Sequence, residues 1–85
     1  MKDQYYIQNG YVGNAVLWWA KNSEGYTTDI KKAGKYSKQQ AMNICVTRAN
    51  DRAWLCEYID NNEKAKKLVI DSQYLDHSQL LVITN

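Results

Sequence analysis

At 85 residues the chain has room for one small domain and not two. A chain of this size buries only about 60 to 65% of the surface its unfolded form exposes, so the three Trp and seven Tyr must supply much of the core, Phe and Pro being absent. A net charge of +2 does not by itself imply a polyanion partner, but its distribution is uneven: residues 21–52 hold seven bases against three acids, and residues 53–85 three against five.

The opening Met1-Lys2-Asp3-Gln4 leads into a strand-like Tyr-Tyr-Ile, not a continuous apolar segment, and no run is long enough to span a bilayer. The expectation is a cytosolic protein with no membrane partner. Cys45 and Cys56 form no metal spacing and no dense disulfide set, so they are read as reduced, buried thiols.

Taken in order, Tyr5-Tyr6-Ile7-Gln8 is β-rich, and Asn9-Gly10 and Gly13-Asn14 are turn dipeptides. Ala15-Val16-Leu17-Trp18-Trp19 is an apolar run of strand length whose two faces both need cover. Lys21 to Glu24 reads as a reversal and Gly25-Tyr26-Thr27-Thr28 as a returning third strand. Asp29 to Gly34 resembles one helical turn, with Asp29 as cap and Gly34 as a left-handed stop. Ser37 precedes Gln40 at capping-box spacing, Tyr36 and Ala41 sit where a hydrophobic staple closes, and Ala41, Ile44, Cys45 and Ala49 form a stripe widened by Met42 and Val46. This predicts the main helix over 37–50.

Residues 53–59 alternate as a strand, with Trp54, Cys56 and Tyr58 on one face. Asp60 to Glu63 is a turn, and Lys67 to Ile70 would complete a second hairpin, with a helical turn over 63–67 as the alternative. A short helical turn is expected over 71–76, and Leu80 to Ile83 is apolar enough to be a last strand that pairs with something. The predicted fold class is α+β: an antiparallel sheet of four or five strands with one main helix packed on one face, as a single domain.

No catalytic or cofactor motif accompanies these elements. His77 lies between Asp76 and Ser78, but adjacency is not a triad. One His, two separated Cys and scattered acids do not give a metal-ligand set. Ala33-Gly34-Lys35-Tyr36-Ser37-Lys38 is a weak phosphate cradle whose Gly and Ser are already explained by a helix stop and a cap. Aromatics among lysines would suit base stacking, yet nine acids argue against a nucleic-acid footprint. Adjacent tryptophans on a strand point to opposite faces, so one of Trp18 and Trp19 belongs to the core and the other, with Trp19 favoured, is a contact residue. The candidate binding residues are Trp18, Trp19, Lys21, Asn22, Tyr26, Thr27, Thr28, Lys35 and Lys38.

Trp18-Trp19, Asn22, Gly25-Tyr26-Thr27-Thr28, Ala33-Gly34, Tyr36-Ser37, Ala41, Ile44-Cys45 and Ala49-Asn50 together resemble a group of short, mostly uncharacterised proteins encoded by bacteriophages, prophages and other mobile elements. The likeness covers residues 5–50. Where that group often has Arg, Gly or Lys followed by Pro after the tryptophans, this chain has Ala20-Lys21. The resemblance carries over no catalytic residue. It implies a small accessory protein that acts in a bacterial host by occupying a host component, and the leading expectation is a non-enzymatic, anti-CRISPR-like inhibitor binding a host defence protein. A sponge for a cyclic nucleotide signal and a small nucleic-acid-binding regulator are the rivals, with a structural accessory as the plain alternative. The apolar tail and two-sided apolar strand also raise the expectation of a homodimer.

Overall fold

The computed structural model describes residues 3–48, 50–62 and 70–81, apart from the side chain of Ser23. Its centre is β1 (Gln4–Val12), in which Tyr6 and Gln8 bury themselves on one face and Tyr5 and Ile7 on the other. The chain reverses at Gly13 (φ +63°) into β2 (Ala15–Trp19), antiparallel to β1 with Gln8 opposite Trp18 and Tyr11 opposite Val16. β3 (Tyr26–Thr27) flanks β2, β4 (Tyr36–Ser37) pairs with the start of β1, and β5 (Arg52–Leu55) lies along β1 with Trp54 opposite Tyr6. The result is a five-stranded antiparallel sheet in an α+β domain.

α1 (Lys38–Thr47) starts where the capping box requires. Ser37 Oγ accepts from the Gln40 amide at 3.2 Å and Gln40 Oε1 accepts from the Ser37 amide at 2.9 Å. Its Ala41, Ile44 and Cys45 pack on the Tyr5 and Ile7 face together with Tyr36, Ala53, Leu55 and Trp19. The opposite face gathers Tyr6, Val16, Trp18 and Trp54 with Ile30, Cys56, Ile59, Ile70 and Leu75. The Val16 and Trp18 face of β2 is therefore buried within the chain, while Ala15, Leu17 and Trp19 on its other face are half-buried. Cys45 and Cys56 are free thiols on opposite sides of the sheet.

Several expectations need correction. Asn9-Gly10 is not a turn; the residues stay in β1 as a bulge between Gln8 and Gly10, because the Asn9 side chain is anchored on Asp51 and the reversal falls to Gly13. Gly34 does not take a left-handed conformation. The turn at Ile30–Lys32, capped by Asp29 as expected, leaves through an extended Ala33, and Gly34 is needed for space: a Cβ there would lie 2.8 Å from the Tyr36 ring. α1 stops at Thr47, short of Asn50, since the Asp51 amide turns back onto the Arg48 carbonyl; Ala49 lies outside the described residues.

The strand over 53–59 ends at Leu55, whose partner Tyr5 is near the start of β1, so the ladder runs out. The chain then forms α2 (Cys56–Asp60), because Cys56 and Ile59 both enter the Trp18 core, which strand alternation would forbid and a three-residue helical spacing allows. The second hairpin is not formed at its described end: Ile70 accepts from the Val16 amide beside β2, and residues 63–69 lie outside the described set. The helical turn at Ser72–Tyr74 falls inside the expected 71–76. Leu80 and Leu81 do pair, with Trp54 and Ala53 of β5, while Val82 and Ile83 lie outside the described residues.

Candidate functional site

The tryptophan pair separates as strand geometry demands. Trp18 is 0% exposed and lies in the core against Tyr6, with ring centroids 5.5 Å apart. It is not available as a contact residue, and its Nε1 has no hydrogen-bond partner among the described residues. Trp19 faces the other way and is only half-buried.

Four groups fix the Trp19 indole. Its Nε1 donates to Asp51 Oδ2 at 3.0 Å, while Asp51 Oδ1 accepts from Asn9 Nδ2 at 3.0 Å, so both oxygens of this 6%-exposed carboxylate are engaged. Tyr36 meets the ring edge-on at 6.3 Å and sends its hydroxyl to the Ala20 carbonyl at 2.6 Å. Tyr26, placed opposite Trp19 by β3, meets it edge-on at 6.0 Å and remains 47% exposed. Finally, the Arg48 guanidinium lies over the ring, 5.3 Å from its centroid, a cation–π contact. Arg48 is held in place by its own backbone, since its amide donates to the Ile44 carbonyl at 3.1 Å and its carbonyl accepts from the Asp51 amide at 3.0 Å. Tyr26, Trp19 and Arg48 thus form one continuous surface on a braced base.

The other sequence candidates divide. Lys21 is exposed beside the reversal, and Asn22 supplies its left-handed residue (φ 58°), a conformation that asparagine tolerates better than most residues. Thr27 Oγ1 accepts from the Asp29 amide at 3.0 Å, so it has a structural task, and Thr28 is half-buried. Lys35 pairs with Asp60 at 3.9 Å, whose other oxygen accepts from Tyr6 at 2.7 Å. Lys38 is exposed at the first position of α1. The cradle fails as a site: Ser37 is occupied in the capping box and Gly34 packs against Tyr36.

Arg48 and Asp51 were missed by sequence reasoning. Asn9 and Trp19 reach Asp51 across separations of 42 and 32 residues, which no local spacing reveals. One signal is that indole N–H groups on apolar segments favour an acceptor: Trp19 takes Asp51 and Trp54 takes Gln8 Oε1 at 2.7 Å, while the buried Trp18 N–H has none among the described residues.

Burial, followed by the nearby charge of Asp51, pushes the Cys45 thiol up to about 11; burial and then Asp60 push Cys56 up to about 12. Nucleophilic cysteines require the opposite shift. Burial, then the hydrogen bond to Asp60, raises the Tyr6 hydroxyl far above its usual range. His77 sits edge-on to Trp54 at 5.7 Å, and Tyr58 stacks on Trp54 at 5.9 Å. Among the described residues no group of three or more His, Cys, Asp or Glu could hold a metal, and no helix is long and apolar enough to cross a membrane. No family model matches the chain, and neither a curated protein nor a solved structure matches it significantly.

Proposed function

We propose that the chain is a non-enzymatic, phage-encoded accessory protein that inhibits a bacterial defence system by binding a host protein through the Tyr26, Trp19 and Arg48 surface, with Lys21 at its rim. The observation that carries the binding face is the braced Trp19. A half-buried indole held by Asp51, Tyr36 and Arg48, with an exposed tyrosine against its edge, is a rigid aromatic anchor of the kind that dominates protein interfaces, and it loses little entropy on binding. The same geometry counts against the nucleotide sponge, because a base stacking on Trp19 would compete with the Arg48 guanidinium over the ring. The raised thiols support a role without covalent chemistry at the cysteines. The host setting follows from the sequence resemblance alone.

The test is capture of host proteins from a bacterial lysate by immobilised wild-type protein and by Tyr26→Ala. Retention of a defence-system subunit by the wild type, lost in Tyr26→Ala while the far-end variant Tyr11→Ala keeps it, is the expected result. Equal retention by all three would remove the surface from the account, and a large melting shift with a cyclic nucleotide would favour the sponge.

A further inference from the structure

We infer that Arg48, laid on Trp19, receives a carboxylate, so that the partner presents an acidic segment with an apolar side chain beside the acid for Tyr26. This rests on the protein-binding reading and names the partner's chemistry. The Arg48 guanidinium carbon lies 5.3 Å from the Trp19 ring centroid, and a guanidinium carries five N–H donors, more than that one contact occupies. Arg48 is exposed, and no carboxylate among the described residues takes those donors: both oxygens of the nearby Asp51 are engaged by Trp19 and Asn9, and Asp60 is paired with Lys35. The Arg48 backbone is fixed by its hydrogen bonds to the Ile44 carbonyl and the Asp51 amide, and the guanidinium already lies over the ring, which lowers the entropy lost when the planar fork closes on a carboxylate.

Charge complementarity points the same way. Residues 21–52 carry an excess of four positive charges, and Lys21, Lys38, Arg48 and Arg52 are exposed without an ion pair among the described residues. A nucleic-acid backbone fits less well. It calls for a basic stripe, whereas here a guanidinium lies over an indole that also donates to the acidic Asp51, with an exposed tyrosine alongside. A single carboxylate next to an apolar residue matches that mixture of one cation and one aromatic edge.

The probe is a fluorescein-labelled peptide of repeating Glu-Leu-Gly, titrated by anisotropy beside its Lys-Leu-Gly counterpart and a single-stranded DNA oligonucleotide of equal charge. The acidic peptide should bind and the basic one should not. Arg48→Ala and Arg48→Lys should each weaken binding at least about tenfold, since lysine keeps the charge but loses the planar fork. Arg52→Ala, which removes an exposed cation without an aromatic contact, should stay within about twofold, a control for general charge. The Trp19 indole N–H resonance should shift on titration in the wild type and not in Arg48→Ala, and an unchanged thermal transition in Arg48→Ala shows that the variant is folded. The inference is overturned if the acidic peptide does not bind, if Arg48→Ala binds it as well as the wild type, or if the oligonucleotide binds more tightly and depends on Arg48. Host capture abolished by Tyr26→Ala but intact in Arg48→Ala would overturn this inference alone. Failure of the wild type to hold any host protein would overturn the protein-binding reading, and the peptide titration would still decide the role of Arg48.

Discussion

Asp51 is the residue on which the candidate surface stands, and removing it should be costly. Its carboxylate accepts hydrogen bonds from Trp19 and Asn9, each at 3.0 Å, from a position 6% exposed. Hydrogen bonds to a charged group contribute about 1.5–3 kcal/mol each. Trp19 and Asn9 are both half-buried, so part of each lost bond is regained from water. The net destabilisation of Asp51→Ala should then be about 3 kcal/mol, a fall of roughly 12 to 24 °C in Tm for a domain of this size. Asp51→Asn keeps one acceptor oxygen but turns an N–H₂ toward a donor, and should fall between Asp51→Ala and the wild type. Equilibrium urea unfolding measures these values. The decisive quantity is the coupling in a double-mutant cycle between Asp51→Ala and Trp19→Phe, which should be about 1.5–3 kcal/mol. A coupling below about 0.5 kcal/mol would show that Asp51 does not brace the indole.

Three further outcomes follow from the packing. Trp54→Phe should destabilise the protein by about 2 kcal/mol more than Trp18→Phe in the same urea assay, because it orphans the buried Gln8 Oε1 whereas Trp18→Phe removes an N–H that already lacks a partner among the described residues; equal losses would refute this. Gly34→Ala should lose about 1–3 kcal/mol, since its Cβ would press on a Tyr36 ring tied to Ala20, and a change under about 0.5 kcal/mol would contradict the crowding. Cys56, raised from 9.0 to about 12, favours its protonated form in the fold, so its contribution is intact below pH 9 and is lost as pH rises from there toward 12. Tm should therefore fall less steeply above pH 9 in Cys56→Ala than in the wild type, and identical slopes would count against it.

What could be read from the sequence is what short-range chemistry decides. The Ser37 and Gln40 capping box, the Asp29 cap and the Gly13 reversal each depend on residues within four positions, and each forms. The opposite facing of Trp18 and Trp19 follows from strand pleat, but which one is buried depends on β1 offering Tyr6 to one side and α1 covering the other, both remote in sequence. Trp54, Cys56 and Tyr58 satisfy strand alternation, while Cys56 and Ile59 also satisfy a helical spacing. The position of Tyr5, some fifty residues earlier, settles the choice by ending the ladder. In the sequence Arg48 and Asp51 are one base and one acid in the charge count of residues 21–52, and only the fold carries Trp19 and Asn9 to them.

The central claim is that a partner sits on Tyr26, Trp19 and Arg48. Amide hydrogen exchange, compared between the free protein and its complex with the captured host protein, tests it most directly. The account predicts new protection over β3 and at the Arg48 end of α1, with none at Tyr11, Val12 and Tyr74, which are exposed apolar side chains elsewhere on the surface. Protection confined to Tyr11, Val12 and Tyr74, with β3 and Arg48 unchanged, would contradict it.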